Sequence, residues 1–156
     1  MPGRSSATLG RPGASVSLDL LVIFATSNAP NADAWSQALS EAHAPVSFSL
    51  TVDLRHHTGF IPVQVHGRES GFYFGTESYN DVVALYPAIS KLHLAKPTIY
   101  SLSYGGHFDE CAAAFFSASV LVSRFHGVAF DPQSGALMTA KQLADAGSQC
   151  LTLSPK

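Results

Sequence analysis

Residues 105–127 read GGHFDECAAAFFSASVLVSRFHG. From Cys111 to Val122 only Ser117 and Ser119 are polar. A helix apolar nearly all the way round is buried on more than one side. Ala112, Ala113, Ala114 and Ala118 allow close backbone approach, and Phe115, Phe116, Leu121 and Phe125 fill the gaps between. Asp109 and Glu110 stand in the first turn, where the helix dipole favours acids. The glycine pair launches the helix at His107, and Gly127 closes it after about His126. One long internal helix near the C-terminal end therefore organises the fold.

Downstream, Val128–Phe130 reads as a short strand. Asp131-Pro132-Gln133-Ser134-Gly135 has turn chemistry, with Asp at its head, then Pro, then Gly at the end. Thr139-Ala140-Lys141-Gln142 is a capping box for a last helix ending near Gly147. Upstream, Pro97–Tyr104 reads as a strand. Ser78-Tyr79-Asn80-Asp81 caps a helix that Pro87 must kink or shorten. Phe72–Phe74 and Phe60–His66 read as two strands joined by a hairpin turn at Gly67–Gly71, with Pro62 marking an edge or a bulge. Ser47–Leu54 alternates Phe48, Leu50, Val52 and Leu54 with polar residues, the pattern of a half-buried strand. Asn31 or Asp33 caps a helix running to about Ala44, ended by Pro45. Leu18–Thr26, with its run Leu20 to Phe24, suggests a strand buried on both faces. The order is β-α-β-β-β-α-β-α-β-α. It predicts a single α+β domain over residues 16–156, with a mixed sheet and a central hairpin. Residues 1–15, rich in Gly, Pro and Ser, read as a disordered lead.

The apolar fraction of 46% suits a buried core, and the charged fraction of 13% is low against the usual quarter. Net charge is −2. Setting aside Arg4 and Arg11 of the lead leaves seven basic against eleven acidic residues, a body of −4. That balance argues against nucleic acid as a direct ligand, because phosphate neutralisation needs clustered Lys and Arg. It suits a basic partner. No apolar run is long enough to span a membrane. The two cysteines, Cys111 and Cys150, match no metal spacing; a disulfide between them is possible but two cysteines form no framework, and the expectation is a reducing compartment with Cys111 a small buried hydrophobe.

Three constellations are candidates for chemistry. His56, His57 and His66 could begin a metal site, but no Cys or carboxylate stands at ligand spacing on the same element. Gly105–Cys111 combines a helix start, a histidine and a thiol, with His107 one turn before Cys111. That supports a small hydrolase or transferase as the alternative function, although no third group orients the pair. Tyr73, Tyr79, Tyr100 and Tyr104 could stack ligands, but lack basic neighbours. The phosphate-loop, nucleophile-elbow and zinc-protease signatures are missing, so no cofactor and no metal are expected. A small-ligand pocket behind Phe72-Tyr73-Phe74 is a third reading.

Three segments carry a family resemblance: Tyr100-Ser101-Leu102-Ser103-Tyr104-Gly105-Gly106, Glu110-Cys111-Ala112-Ala113-Ala114 and Gly127–Gly135, followed by the Thr139 cap. Over residues 98–146 the chain resembles a group of small bacterial proteins, some of them similar to the immunity proteins encoded beside contact-dependent growth inhibition toxins. These motifs are structural, and no active-site residue carries over from them. The resemblance implies a cytoplasmic inhibitor that binds one cognate protein toxin, often a nuclease, and blocks its active site. A nuclease surface is basic, so an acidic, aromatic binding face is expected. The candidates are Glu69, Tyr73, Glu77, Tyr79 and Asp81, around the hairpin and the helix after it, with the Asp53–His57 strand end next.

Overall fold

The computed structural model of the chain describes residues 18–48 and 52–153. The lead at 1–15 and the middle of the strand expected at 47–54 lie outside the described residues. Strand β1 (Leu18–Ala25) is followed by helix α1 (Ala32–Glu41), the two-residue strand β2 (Val46–Ser47), and strands β3 (Gly59–Val65) and β4 (Arg68–Glu77). Next come helix α2 (Tyr79–Leu85), a 3-10 segment (Pro87–Leu92) and strand β5 (Pro97–Tyr104). Helix α3 (Phe108–Phe125), strands β6 (Val128–Asp131) and β7 (Ala136–Met138), and helix α4 (Ala140–Leu153) complete the chain.

The seven strands form one sheet in the order β2-β3-β4-β5-β1-β6-β7. Every pairing is antiparallel, which corrects the expectation of a mixed sheet. The class is α+β. β1 lies between β5 and β6, and from Leu20 to Phe24 both of its faces are buried. Leu20, Val22 and Phe24 belong to the main core and Leu21 and Ile23 to a smaller one.

The main core lies between the sheet and helices α1, α3 and α4. Trp35 of α1 is its hub. The indole packs edge-on to Phe48 at 5.2 Å and stacks on Tyr100 at 6.2 Å, while Nε1–H donates to the Ser117 carbonyl at 3.1 Å. Along α3, Ala112, Ala113, Ala114, Phe116, Ala118, Val120 and Leu121 are buried, as their composition predicts. The smaller core, on the opposite face, is made by Val82 of α2 and Ile89 of the 3-10 segment over Leu21, Ile23, Ile99 and Phe130.

Several boundaries differ from expectation, each for a physical reason. The hairpin turn is His66-Gly67, with Val65 paired to Arg68. Both turn residues have positive φ, +50° and +78°, the geometry that matches the twist of a two-residue hairpin. Residues 68–71 therefore belong to strand β4. Helix α4 runs on past Gly147 because this glycine lies against Phe116 of α3. A Cβ there would stand 2.8 Å from the ring, so Gly147 marks close helix packing. α1 stops at Glu41, short of Ala44. Of the alternating segment after Pro45, only Val46–Ser47 is a strand in the described residues, although Phe48, Leu54 and part of Val52 still face the core. The capping box forms as read. The Thr139 N–H donates to Gln142 Oε1 at 2.9 Å, and the Gln142 N–H donates to Thr139 Oγ1 at 3.1 Å.

Cys111 and Cys150 form a disulfide, with their Cα atoms 5.9 Å apart. The pairing is the one the sequence left possible, and it runs against the expectation of reduced cysteines. The packing of α4 on α3 brings together side chains that sequence spacing alone leaves unconnected.

Candidate partner-binding face

Helices α1, α3 and α4 cover the central part of one face of the sheet. The opposite face is covered only over β5, β1 and β6, by α2 and the 3-10 segment. Over β3 and β4 it is open. Strand alternation decides which side chains stand there. Ile61, Val63, Val65, Phe72 and Phe74 point to the main core, so Phe60, Pro62, Gln64, Glu69, Gly71, Tyr73, Gly75 and Glu77 point outward.

Three of the five expected residues, Glu69, Tyr73 and Glu77, thus share one face of β4, spread along about 27 Å of strand. Tyr73 is 57% exposed. Tyr79 packs at the rim of the smaller core and is half-buried. Asp81 is exposed in the first turn of α2, where its N–H donates to Ser78 Oγ at 3.4 Å. The face also holds residues that sequence reasoning missed. Phe60 lies opposite Tyr73 in the register, is 45% exposed, and meets the Tyr73 ring edge-on at 5.4 Å. Asp19 of β1 faces the same way and accepts a hydrogen bond from Ser103 Oγ. Ser101 Oγ, next along β5, lies 3.3 Å from Glu77 Oε2. The signal for Phe60 was its alternation with Ile61, Val63 and Val65 in β3.

At the outward positions of β1, β3, β4 and β5 stand three carboxylates, Asp19, Glu69 and Glu77, and among the described residues no Lys or Arg. Arg68, the nearest cation in sequence, belongs to the other face, where it pairs with Asp109 at the start of α3 at 2.8 Å. A groove of about 340 Å³ opens in this face, lined by Phe60, Pro62, Val63, Gln64, Glu69 and Ser70.

The other constellations resolve differently. In the Gly105–Cys111 turn the Cys111 sulfur is bonded to Cys150, so it offers no thiolate beside His107. Glu110 accepts the Gly105 N–H at 2.8 Å and fixes the turn. His66 sits in the hairpin turn, and His43, His93 and His126 likewise occupy left-handed backbone positions. Among the described residues no group of three metal-ligating side chains comes together. Asp53 accepts from the Arg55 N–H and lies 2.8 Å from His56 Nδ1. The bond to His56, more than that to Arg55, holds the Asp53 carboxyl below its ordinary pKa. Tyr100 and Tyr104 face the core, so no four-tyrosine platform exists. Among the described residues no helix is long and apolar enough to cross a membrane. No protein-family model, curated protein or solved structure matches the chain.

Proposed function

We propose that the chain is a toxin-neutralising immunity protein that uses the open β3–β4 face to cover the active site of a basic, nuclease-type toxin. The observation that carries the reading is that face itself. It combines exposed Phe60 and Tyr73 with Asp19, Glu69 and Glu77 and, among the described residues, has no outward Lys or Arg. Aromatic side chains give contact area at low entropic cost. Carboxylates complement the cationic cleft that binds phosphate, and they raise the rate of encounter. The resemblance over residues 98–146 points to the same class of protein.

The resemblance implies action in the cytoplasm, whereas the Cys111–Cys150 disulfide favours an oxidising compartment. The redox state of that pair, in protein taken from its own cell, distinguishes the two. The disulfide links helices on the far side of the sheet, so either answer leaves the binding face unchanged.

The test is co-expression with any toxin domain encoded beside the chain's own gene. A stable complex on gel filtration and loss of the toxin's nuclease activity at equimolar ratio are expected. Failure to bind at micromolar concentration, with both proteins folded, overturns the reading.

A further inference from the structure

We infer that the groove between Phe60 and Glu69 is a receptor for an arginine side chain of a basic protein partner; this rests on the inhibitory reading of the same face. It is lined by Phe60, Pro62, Val63 and Gln64 of β3 and by Glu69 and Ser70 of β4; in the register Phe60 stands opposite Tyr73, Pro62 opposite Gly71 and Gln64 opposite Glu69. Gly71 is its floor. Its φ is +154°, and a Cβ there would stand 2.3 Å from the Ile61 carbonyl oxygen and 2.4 Å from Phe60 Cζ. The missing side chain lets the Phe60 ring lean across β4 and become one wall. Glu69, two residues or about 7 Å along the strand from Gly71, forms the opposite wall with Gln64. Among the described residues no cation is paired with Glu69.

An aromatic face and a carboxylate that flank one apolar-floored groove suit a guanidinium. The planar cation stacks on the ring while its N–H fork donates to the carboxylate. The Gln64 amide oxygen can accept one further N–H. An acidic or neutral side chain gains neither contact, and a lysine lacks the planar fork. The surrounding acids, Asp19 and Glu77, attract a basic surface but stand outside the groove, so selectivity for arginine belongs to Phe60 and Glu69.

A hexa-arginine peptide is the probe, titrated into the isotope-labelled protein and followed by backbone amide shifts, with hexa-lysine in parallel. Saturable shifts should centre on Gln64, Glu69 and Ser70, with hexa-arginine the tighter ligand. Glu69→Gln and Phe60→Ala should each raise the apparent Kd about tenfold. Asp33→Asn, the same change in charge at an exposed position of α1, should alter it less than twofold. Equal effects of all three substitutions, no preference over hexa-lysine, or no saturable shift would overturn the receptor. Amide dispersion of each variant verifies that it is folded. The toxin experiment separates the two readings. Wild-type binding that is indifferent to Glu69→Gln and Phe60→Ala removes the groove and keeps the inhibitor. Arginine binding in the groove without any toxin complex does the reverse.

Discussion

Tyr100 shows what one buried polar atom does to this fold. Its ring meets Phe74 at 4.9 Å and Phe24 at 5.2 Å, and its hydroxyl donates to the Pro30 carbonyl at 2.7 Å. Burial pushes its pKa up to about 12, with Arg55 pulling the other way and Asp53 adding to the rise. Tyr104 is likewise pushed up to about 12, chiefly by burial and then by Asp131 and Asp19. The unfolded chain releases these protons near pH 10, below the folded pKa. The native state therefore keeps its full stability below about pH 10 and loses it as pH rises toward 12. Urea midpoints should be level from pH 8 to 9.5 and fall above 10. Tyr100→Phe should flatten that fall only in part, because Tyr104 remains. At neutral pH it should cost about 1 kcal/mol, since the Pro30 carbonyl loses its donor inside the protein. An alkaline limb unchanged by the substitution would show that Tyr100 does not govern it. The sequence showed Tyr100 in a strand and, for want of basic neighbours, favoured packing over ligand stacking, though alternation gives a face without saying what covers it.

At the scale of elements, α3 and α4 are tied twice, by the Gly147–Phe116 approach and by the disulfide across a separation of 39 residues. Closing a loop of that length restricts the unfolded chain by about 4 kcal/mol in the chain-entropy model. Reductant should therefore lower the melting temperature markedly, and thiol titration of the unreduced, denatured protein should find no free thiol. Two free thiols, with melts that coincide in the presence and absence of reductant, would contradict the bond. Local signals were legible in the sequence. The long helix, the Asn31 and Ser78 caps and the Thr139 capping box all depend on residues within a few positions of one another. Long-range features were not. β1 finds its partners around Tyr104 and Phe130, and nothing local announces either pairing or its antiparallel sense. β7, three residues ending at Met138, is too short to show a period, and it exists because β6 offers an edge after the Asp131 turn. The hairpin was misplaced because Gly67 and Gly71 look alike in a sequence, although one serves a turn and the other makes room for a ring.

For the whole molecule the decisive asymmetry is between the two faces of the sheet. Helices α1, α3 and α4 cover the central part of one face, whereas α2 and the 3-10 segment reach only the β5-β1-β6 side of the other. Of the expected binding residues, Glu69, Tyr73 and Glu77 were grouped in the sequence only by their nearness; they share one side because β4 begins at Arg68, where a turn was expected. Phe60 and Asp19 join them only through cross-strand register, which no local pattern encodes. A face with three carboxylates and, among the described residues, no outward Lys or Arg should act on a basic partner mainly through the rate of encounter, because exposed charges are screened beyond about 8–10 Å at physiological salt. Lys at Asp19, Glu69 and Glu77 together should slow association with the toxin of the proposed function at least about tenfold at low salt. It should also remove most of the decline in on-rate with added salt. Dissociation should respond more to Phe60→Ala and Tyr73→Ala, since buried aromatic contacts hold a complex once it has formed. Stopped-flow association across a salt series measures the first effect, and dissociation under dilution the second. If the triple variant kept the wild-type on-rate and salt slope, the toxin would dock elsewhere. The Asp53–His57 segment, with its exposed Arg55 and His56 beside Asp53, would be the next surface to test.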